Sequence, residues 1–415
     1  MSEHSRKERQ DSEQSADLIR VHADPTALDG KAWNALLAIQ QRPTPFMRWE
    51  YFAALHASGS AVPRSGWLAR FVTVHRAGQL VAAAPAYLKS HSYGEYVFDW
   101  AWADAYERHG LAYYPKLLVA VPFTPVPGSR LLAVDAAAHA RLLDGLAQVA
   151  EQEQASSTHL LFHDVADSPA LQARGWLARQ GVQFHWTHNA AESQTDFNGF
   201  LASLQRDKRK KILQERRRVA EAGVNFTVHE GTAIDAELWR FFHHCYTLTY
   251  RAHGSTPYLS LAFFEAMAQT MPEHWLMFVA RRDGLPIGVS LLAIDRARGE
   301  AYGRYWGATE YLPCLHFEAC YYQPLQWCMA QGLRRFEGGA QGEHKMARGL
   351  LPVGTRSAHW LAHPQFSRAV ADFLSREGQG VTAYVNELHE HSPFKAASGP
   401  TSIQQQAPSL GHELS

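Results

Sequence analysis

The chain has 415 residues, of which 46% are hydrophobic and 12% aromatic, so it is long and apolar enough for two domains with sizeable cores. Its 40 Lys and Arg residues balance its 40 Asp and Glu residues, and this balance indicates no nucleic-acid or acidic partner for the chain as a whole. The four cysteines form no C-x-x-C pair, which argues against a disulfide framework and fits a reducing compartment.

The two ends of the chain are polar. Residues 1–17 and 395–415 are predicted to be disordered tails, which leaves a first domain at 18–192 and a second at 193–394. The N-terminal tail has no apolar segment typical of a signal peptide, and no run of about 18 apolar residues predicts a transmembrane helix. We therefore expect a cytoplasmic protein.

In the first domain, apolar periodicity predicts helices before and after a set of strands. In chain order these are helices at 29–37 and 49–56, strands at 67–74, 80–88 and 93–102, a helix at 136–154, a strand at 159–164, a helix at 168–180 and a strand at 182–188. The segment 113–130 is rich in proline and is predicted to be irregular.

The second domain opens with a long basic helix and then follows a similar order. Its predicted elements are helices at 200–222, 236–250, 261–271 and 315–331, strands at 224–229, 275–280, 287–295, 300–307, 333–337 and 358–362, and two helices at the C-terminal end. Gly223 is placed to end the basic helix, because glycine readily adopts the left-handed conformation found there.

The two domains repeat one pattern of helices, three antiparallel strands, a helix and a further strand. The matched pairs are Trp67 with Trp275, Phe71 with Phe278, Gly78 with Gly284, Tyr96 with Tyr302, Trp100 with Trp306 and Phe162 with Phe336. Chance similarity between strand-rich segments is one explanation. The agreement of element order, turn glycine and aromatic pairs favours an internal duplication.

Several short motifs point to a family. They are Tyr113-Tyr114-Pro115-Lys116-Leu117 with the Pro-rich stretch at 121–125, the basic stretch at 206–212, the stretch at 316–322, and 337–345, which reads EGGAQGEHK. Together with the doubled strand order, they resemble the FemAB-like branch of the GNAT superfamily, which includes peptidoglycan-bridge aminoacyltransferases. The resemblance spans residues 18–393. It implies an α/β fold of tandem GNAT-like domains, each a mixed, mostly antiparallel sheet flanked by helices.

The segment after strand 300–307 is similar to the donor-binding loop of GNAT enzymes. Arg304, Gly307, Ala308 and Thr309 follow the family pattern [Q/R]-x-x-G-x-[G/A], with Thr309 departing from it. In that family the loop cradles the pyrophosphate of acyl-CoA, because free N–H groups at a helix N-terminus attract anions. FemAB-type enzymes use an aminoacyl-tRNA donor instead. A surface pairing of Arg304 with a carboxylate is the structural alternative.

The basic helix resembles a K-x-R-x-x-I helix of FemAB proteins. Arg209, Ile212, Gly223 and Val224 match that pattern. The functional interpretation is that Lys208, Arg209 and Arg216 contact a phosphate or tRNA. The alternative is a solvated helix face that carries like charges.

The glycine-studded segment is the candidate for catalysis. Lys345 matches the lysine of the FemAB F-K-x-x-[FG] stretch, although His344 stands where that family has Phe. Acyl transfer to an amine needs a proton acceptor and stabilisation of an oxyanion. Glu343 or His344 could accept the proton, and Lys345, Arg348 or the backbone amides of Gly338 and Gly339 could face the oxyanion. Glu318 and His316 are the alternative bases.

Three residues of the first domain complete the candidate site. Tyr113, Tyr114 and Lys116 could line an acceptor cleft between the domains, or they could pack at a domain interface. No pattern predicts a metal site, since no helix carries two histidines four residues apart with a glutamate. A buried thiol is the expected state of Cys314 and Cys320.

The sequence therefore predicts an N-acyltransferase without a permanently bound cofactor. The donor would be acyl-CoA or aminoacyl-tRNA, and the acceptor would be an amine, with a peptidoglycan precursor as one candidate. The alternative is a catalytically inactive GNAT-like module that binds a cell-wall or sugar-nucleotide ligand.

Overall fold

A computed structural model describes residues 17–188, 196–339 and 342–395. The predicted tails lie outside these described residues, apart from Asp17 and Lys395 at their inner ends. No helix within the described ranges is both long enough and apolar enough to cross a membrane.

Helices and strands both occur in the two halves of the described chain. The helices are α1 (Gly30–Ala38), α2 (Trp49–Ala57), α3 (Trp100–Arg108), α4 (Ala136–Gln152), α5 (Ser168–Ala173), α6 (Phe197–Ser203), α7 (Arg206–Glu221), α8 (Ala236–Ala252), α9 (Leu261–Thr270), α10 (Leu315–Phe317), α11 (Gln323–Ala330) and α12 (Pro364–Glu390). A π-helical turn, Glu318–Tyr322, joins α10 to α11.

The strands number fifteen over the described residues. They are β1 (Leu18–His22), β2 (Trp67–Ala69), β3 (Phe71–Arg76), β4 (Gln79–Ala84), β5 (Ala86–Lys89), β6 (Lys116–Val119), β7 (Leu132–Ala133), β8 (Ser157–Leu161), β9 (Leu177–Thr187), β10 (Val224–Glu230), β11 (Trp275–Arg282), β12 (Leu285–Asp295), β13 (Glu300–Ala308), β14 (Arg335–Glu337) and β15 (Leu351–Leu361). A small sheet has the order β1-β3-β4-β7, and the large one has the order β10-β11-β12-β13-β14-β9-β15-β8-β6-β5-β2.

The two halves repeat the strand order that the sequence predicts. In the second half, β10 to β13 pair antiparallel in succession, and after α10 and α11 strand β14 pairs parallel to β13. In the first half, β3 and β4 form a hairpin, β6 pairs antiparallel with β5, and after α4 strand β8 pairs parallel to β6. The predicted α/β fold of two GNAT-like units is confirmed.

One predicted strand of the first half is wrong. Residues 93–102 form no strand, and β6 takes the place of the third antiparallel strand. Gly94 and Tyr96 have φ values of +81° and +62°, which break an extended backbone. Glu95 and Asp99 turn inward to bind Lys116. The match of Tyr96 and Trp100 with Tyr302 and Trp306 is therefore also wrong, since Trp100 begins a helix.

The halves exchange strands at the centre of the large sheet. Strand β9 of the first half lies between β14 and β15 of the second half, and β15 lies between β9 and β8. The predicted helix at 168–180 stops at Ala173 because Leu177 already begins β9. A domain boundary near residue 192 stays a prediction, and the sheet itself is continuous across it.

Candidate active site

The pairing of β13 with β14 ends in the middle of the large sheet, and we call the stretch between the two strands beyond the last pair the gap. The two strands pair only from Glu300 with Arg335 to Tyr302 with Glu337. Beyond that point, residues 303–306 of β13 are partly exposed, whereas the residues on either side of them are buried. An extra residue in β13 also shifts its register against β12 here. An interior strand that is partly exposed over four residues, next to a bulge, is a candidate ligand site.

Glycines line this gap. A Cβ on Gly303 would lie 3.2 Å from the carbonyl oxygen of Glu337, and one on Gly339 would lie 3.6 Å from the carbonyl oxygen of Gly303. Gly339 also has a φ of +89°, which favours glycine. The segment that follows β14 therefore passes close to β13, and side chains at these positions would fill the gap.

Lys345 lies directly beside these glycines. It is 3% exposed, and its Nζ donates a hydrogen bond of 2.9 Å to the carbonyl oxygen of Gly339. No described carboxylate forms an ion pair with it. Burial lowers the pKa of Lys345 to about 8, although nearby Cys320 opposes the shift. Its charge is therefore poised near neutral pH, and two of its three N–H donors have no partner among the described residues.

Arg348 is held behind Lys345 by a buried ion pair. Its Nη2 lies 3.0 Å from Oε2 of Glu215 in α7, and the hydroxyl of Tyr322 donates to the same carboxylate. Its Nη1 donates to the carbonyl oxygen of His344 at 2.6 Å. The guanidinium carbon also lies 3.5 Å from the ring centre of Phe317. Arg348 therefore fixes the 3₁₀ turn Glu343–Arg348 against α7 and the π-helical turn.

Two histidines lie close to these cations. Tyr321 Oη lies 3.2 Å from Nε2 of His344, and the rings of His344 and His316 are 6.5 Å apart. Burial lowers the pKa of both histidines, and Arg348 and Lys345 lower it further. The pKa of His316 falls to about 4. Both imidazoles are thus neutral at pH 7 and able to accept a proton.

The two predicted carboxylate bases are bound by other side chains. Glu318 is buried, and its carboxylate accepts bonds from Arg216 at 3.1 Å and from Gln323 at 2.7 Å. Glu343 is on the surface, where it accepts a bond of 2.6 Å from Tyr384. The structure therefore brings Lys345, Arg348 and His344 together. Glu318 and Arg216 form a neighbouring ion pair, and Glu343 lies on the surface.

The remaining basic-helix residues lie further out. Lys208 is partly exposed, and its Nζ is 3.4 Å from Asp207. Arg209 is also partly exposed and has no ion pair with any described residue. Both side chains are available to solvent at the N-terminal end of α7, and their contact with phosphate or tRNA stays a prediction.

The residues of the predicted donor loop lie in a strand. Arg304, Gly307 and Ala308 belong to β13, and Thr309 follows it, bonded through its amide to the carbonyl oxygen of Ile287 at 2.9 Å. A Cβ on Gly307 would clash with the backbone carbonyl of Cys245 in α8. These contacts are internal to the protein, and the turn that precedes α10 begins only after Thr309. Donor binding by these four residues stays a prediction.

Arg304 approaches the gap from the opposite face of the sheet. Its Nη2 donates 2.8 Å to the carbonyl oxygen of Phe123, in the Pro-rich segment of the first half. The ring centres of Phe46 and Tyr305 lie 5.3 and 5.1 Å from its guanidinium carbon. Lys345 packs on the other face, beside Cys320. The two cations therefore lie on opposite sides of one opening.

The three predicted first-domain residues lie in a separate buried network. Lys116 is fully buried and binds the carboxylates of Glu95 and Asp99, the first at 2.8 Å. Tyr113 donates to Asp99 at 2.6 Å, and the hydroxyls of Tyr114 and Ser92 lie 2.8 Å apart. With its charge paired in this way, Lys116 stabilises the segment at 93–99. A role in substrate binding stays a prediction.

Sequence reasoning passed over two acidic residues near the site. Glu337 is buried at the end of β14 and forms ion pairs with Arg42 at 3.1 Å and Arg335 at 3.2 Å. Burial raises the pKa of Glu337 to about 7, although both arginines oppose the shift. The other is Glu215. The sequence does carry a signal for Glu215. It is an acid on the apolar side of the basic helix, four residues before Val219.

Metal and disulfide chemistry have no support in the described part of the chain. No group of three or more His, Cys, Asp or Glu residues is arranged to hold a metal ion there. All four cysteines are free.

Comparisons with known proteins identify the family. Residues 25–396 match the FemAB-like family, which is described as peptidoglycan biosynthesis/recognition. Since the match covers most of the chain, the protein belongs to this family and is an acyltransferase of the FemAB and GNAT type. A search of curated protein sequences found no match.

Solved structures agree with the fold. FemX is similar with a TM-score of 0.52 and 13% identity, over 86% of this chain and 100% of FemX. L-PGS from Bacillus licheniformis is similar with a TM-score of 0.53 and 10% identity, over 86% of this chain and 99% of that one. A conserved protein from Bacteroides thetaiotaomicron has a TM-score of 0.51 and 9% identity, over 83% of this chain and 100% of its own. At these identities the likeness establishes the fold.

Proposed function

We propose that the protein transfers an acyl or aminoacyl group to an amine at the gap between β13 and β14. The observation that carries the proposal is Lys345, a buried lysine without a carboxylate partner in the described chain, next to the glycines of that gap. Burying a cation in this way is unfavourable, and proteins keep such groups where chemistry needs them. An acyl-CoA thioester or an aminoacyl-tRNA ester would supply the group.

The chemistry follows from the charges around the gap. The neutral amine attacks the acyl carbonyl carbon, a C–N bond forms, and the carbonyl oxygen becomes an oxyanion. The Lys345 ammonium stabilises this oxyanion through its free N–H groups. Collapse of the intermediate breaks the bond to the thiolate of CoA or to the ribose oxygen of tRNA. The proton that leaves the attacking nitrogen passes to His344, which is neutral, directly or through a water molecule, and His344 then gives it to the departing thiolate or ribose oxygen.

The family's description as peptidoglycan biosynthesis/recognition supports the amines of peptidoglycan precursors as acceptors. FemX and L-PGS share the fold, and the exposed cations of α7 offer phosphate contacts that suit a tRNA donor as well as CoA. We propose a peptidoglycan precursor as the first acceptor to test.

The test is a transfer assay with each donor. Purified protein is incubated with radiolabelled acetyl-CoA or with charged tRNA, and with a panel of amines that includes peptidoglycan precursors. We expect a labelled amide product to form with one of the two donors, acetyl-CoA or charged tRNA. Replacing Lys345 by Met should lower the rate about 100-fold or more, which is typical for loss of one oxyanion donor. The matched control is Lys31→Met on the exposed side of α1, which should transfer like the wild type.

A catalytically inactive binding module is the second candidate. The observation that favours it is that Glu318 and Glu343, two of the predicted bases, are bound by Arg216 and Tyr384. A wild type that binds a precursor or a sugar nucleotide but forms no amide with either donor would establish this alternative and refute the transferase.

A further inference from the structure

The face of the gap opposite Lys345 has a cation of its own. The guanidinium of Arg304 makes two hydrogen bonds, both from Nη2 and both to neutral oxygens, at 2.8 Å to Phe123 O and 3.3 Å to Tyr305 Oη. Its buried Nε has no partner, and no described carboxylate forms an ion pair with it. The charge of Arg304 acts on the carboxylate of Glu337, but that carboxylate is already paired with Arg42 and Arg335. A guanidinium without a carboxylate partner, whose Nη1 is left to donate, suits an anionic ligand.

Aromatic side chains from both halves surround this cation. Tyr305 and Tyr250 come from the second half, and Tyr96 of the first half lies within electrostatic reach of Arg304 and of both tyrosines. Phe123 of the first half stacks on Tyr258 of the second, with ring centres 4.7 Å apart and planes at 13°. The four tyrosines are partly exposed, so a ligand can reach them. Burial raises the pKa of Tyr96, which keeps its hydroxyl protonated and able to donate.

The first half reaches Arg304 through two strained residues. Tyr96 and Phe123 have φ values of +62° and +57°. The left-handed conformation is unfavourable for bulky residues, and it persists where the surrounding structure needs it, often at ligand sites. Tyr96 also lines a cavity of about 200 Å³ with Gln183 and Arg179. These two backbone conformations place the carbonyl oxygen of Phe123 and the side chain of Tyr96 near the guanidinium.

We propose that Arg304 binds a carboxylate of the acceptor, so that the acceptor is an amine that also carries a free carboxylate, such as an amino acid or a peptide. Calling this ligand the acceptor rests on the proposed function, whereas the carboxylate site itself rests only on the geometry around Arg304. The guanidinium is a planar fork, and its Nη1, which makes no hydrogen bond to a described group, can donate to a carboxylate oxygen. The rings of Phe46 and Tyr305 beside it favour a planar anion over a tetrahedral phosphate. The acceptor would be anchored on one face of the sheet while its amine enters the gap toward Lys345.

The proposal is tested first by binding, without any transfer. Ligand-observed NMR titrations compare N-acetylglycine with N-acetylglycinamide, which lacks the charge, and with inorganic phosphate. Neither acetylated compound has an amine to acylate. We expect the wild type to bind N-acetylglycine at least about 10-fold more tightly than the amide. Arg304→Gln should abolish this difference. Arg304→Lys keeps the charge without the fork, and it should lower the affinity for N-acetylglycine several-fold.

Arg368→Gln is the matched control, because Arg368 is exposed on α12 and remote in sequence from the gap. It should bind N-acetylglycine like the wild type. Equal binding of acid and amide, undiminished binding in both Arg304 variants, or binding of phosphate but not of N-acetylglycine would each overturn the proposal.

A second measurement separates this proposal from the proposed function. Transfer to a free amino acid is compared with transfer to its amide, and the ratio of the two kcat/KM values should fall toward one in Arg304→Lys. If the wild type transfers to no amine but still binds N-acetylglycine through Arg304, the transferase is refuted and the carboxylate site remains. If it transfers to acid and amide equally well, the carboxylate site is refuted and the transferase remains.

Discussion

At the scale of single residues, Lys345 has the strongest link between environment and function. Its pKa of about 8 predicts how transfer depends on pH, because only the ammonium form can stabilise an oxyanion. Activity should rise with pH as the acceptor amine loses its proton and then fall as pH passes about 8. Lys345→Arg should move the falling limb to higher pH, since a guanidinium stays charged. A pH profile of kcat/KM for both proteins measures this. Rising activity through pH 8 in the wild type would identify Lys345 as a base instead.

The same pKa predicts a stability effect. The pKa of Lys345 is lowered from 10.5 to about 8, so the unfolded chain binds more protons between these values and stability rises with pH across that window. At pH 7 the buried charge is unfavourable by about 3 kcal/mol, and its hydrogen bond to Gly339 returns about 1 kcal/mol. Lys345→Met should therefore be about 2 kcal/mol more stable than wild type at pH 7, and its advantage should vanish at about pH 10, where the remaining charge penalty equals the lost hydrogen bond. Urea unfolding at several pH values checks this. A less stable variant at pH 7 would contradict the assignment.

At the scale of elements, strand β13 packs closely against α8 because Gly307 has no side chain. A Cβ on Gly307 would collide with the backbone carbonyl of Cys245, which cannot move without shifting the helix. Gly307→Ala should therefore destabilise the protein by about 1–3 kcal/mol, the usual effect of overpacking. The change in urea midpoint measures it.

The control for this prediction is a glycine with free space. Gly380 lies on the exposed side of α12, and nothing would contact a Cβ there. Gly380→Ala should stabilise the protein by about 0.5–1 kcal/mol, because alanine favours a helix. Similar changes in stability for the two substitutions would show that the close packing of β13 against α8 does not explain the effect of Gly307→Ala.

Several elements could be predicted from the sequence because their signals are local. Asp235 and Ser260 cap α8 and α9 close to the predicted starts, and the basic helix ends before Gly223 as expected. The turn at 93–99 could not be predicted. Its aromatic residues have strand character, and only the carboxylates that turn inward to Lys116, more than 15 residues away, explain its shape.

At the scale of the whole molecule, the exchange of β9 and β15 joins the halves. Strand β9 is hydrogen-bonded on both sides to strands of the second half, so neither half completes its sheet alone. We expect the protein to unfold in one cooperative transition, with the calorimetric enthalpy equal to the van't Hoff enthalpy. Differential scanning calorimetry measures both. Two separated transitions would mean that the halves are stable independently.

The sequence by itself determined the doubled order of strands, the family, and the segment in which the candidate catalytic lysine lies, because these depend on local periodicity and on short motifs. Only the tertiary structure decided which charged residues meet. Glu215 and Arg348 are 133 residues apart in the chain, and Arg304 faces the first half while Lys345 faces the π-helical turn that contains Cys320. Such pairings depend on strand register and on the face to which each side chain points. Both are set by long-range hydrogen bonding across the sheet, which leaves no local pattern in the chain.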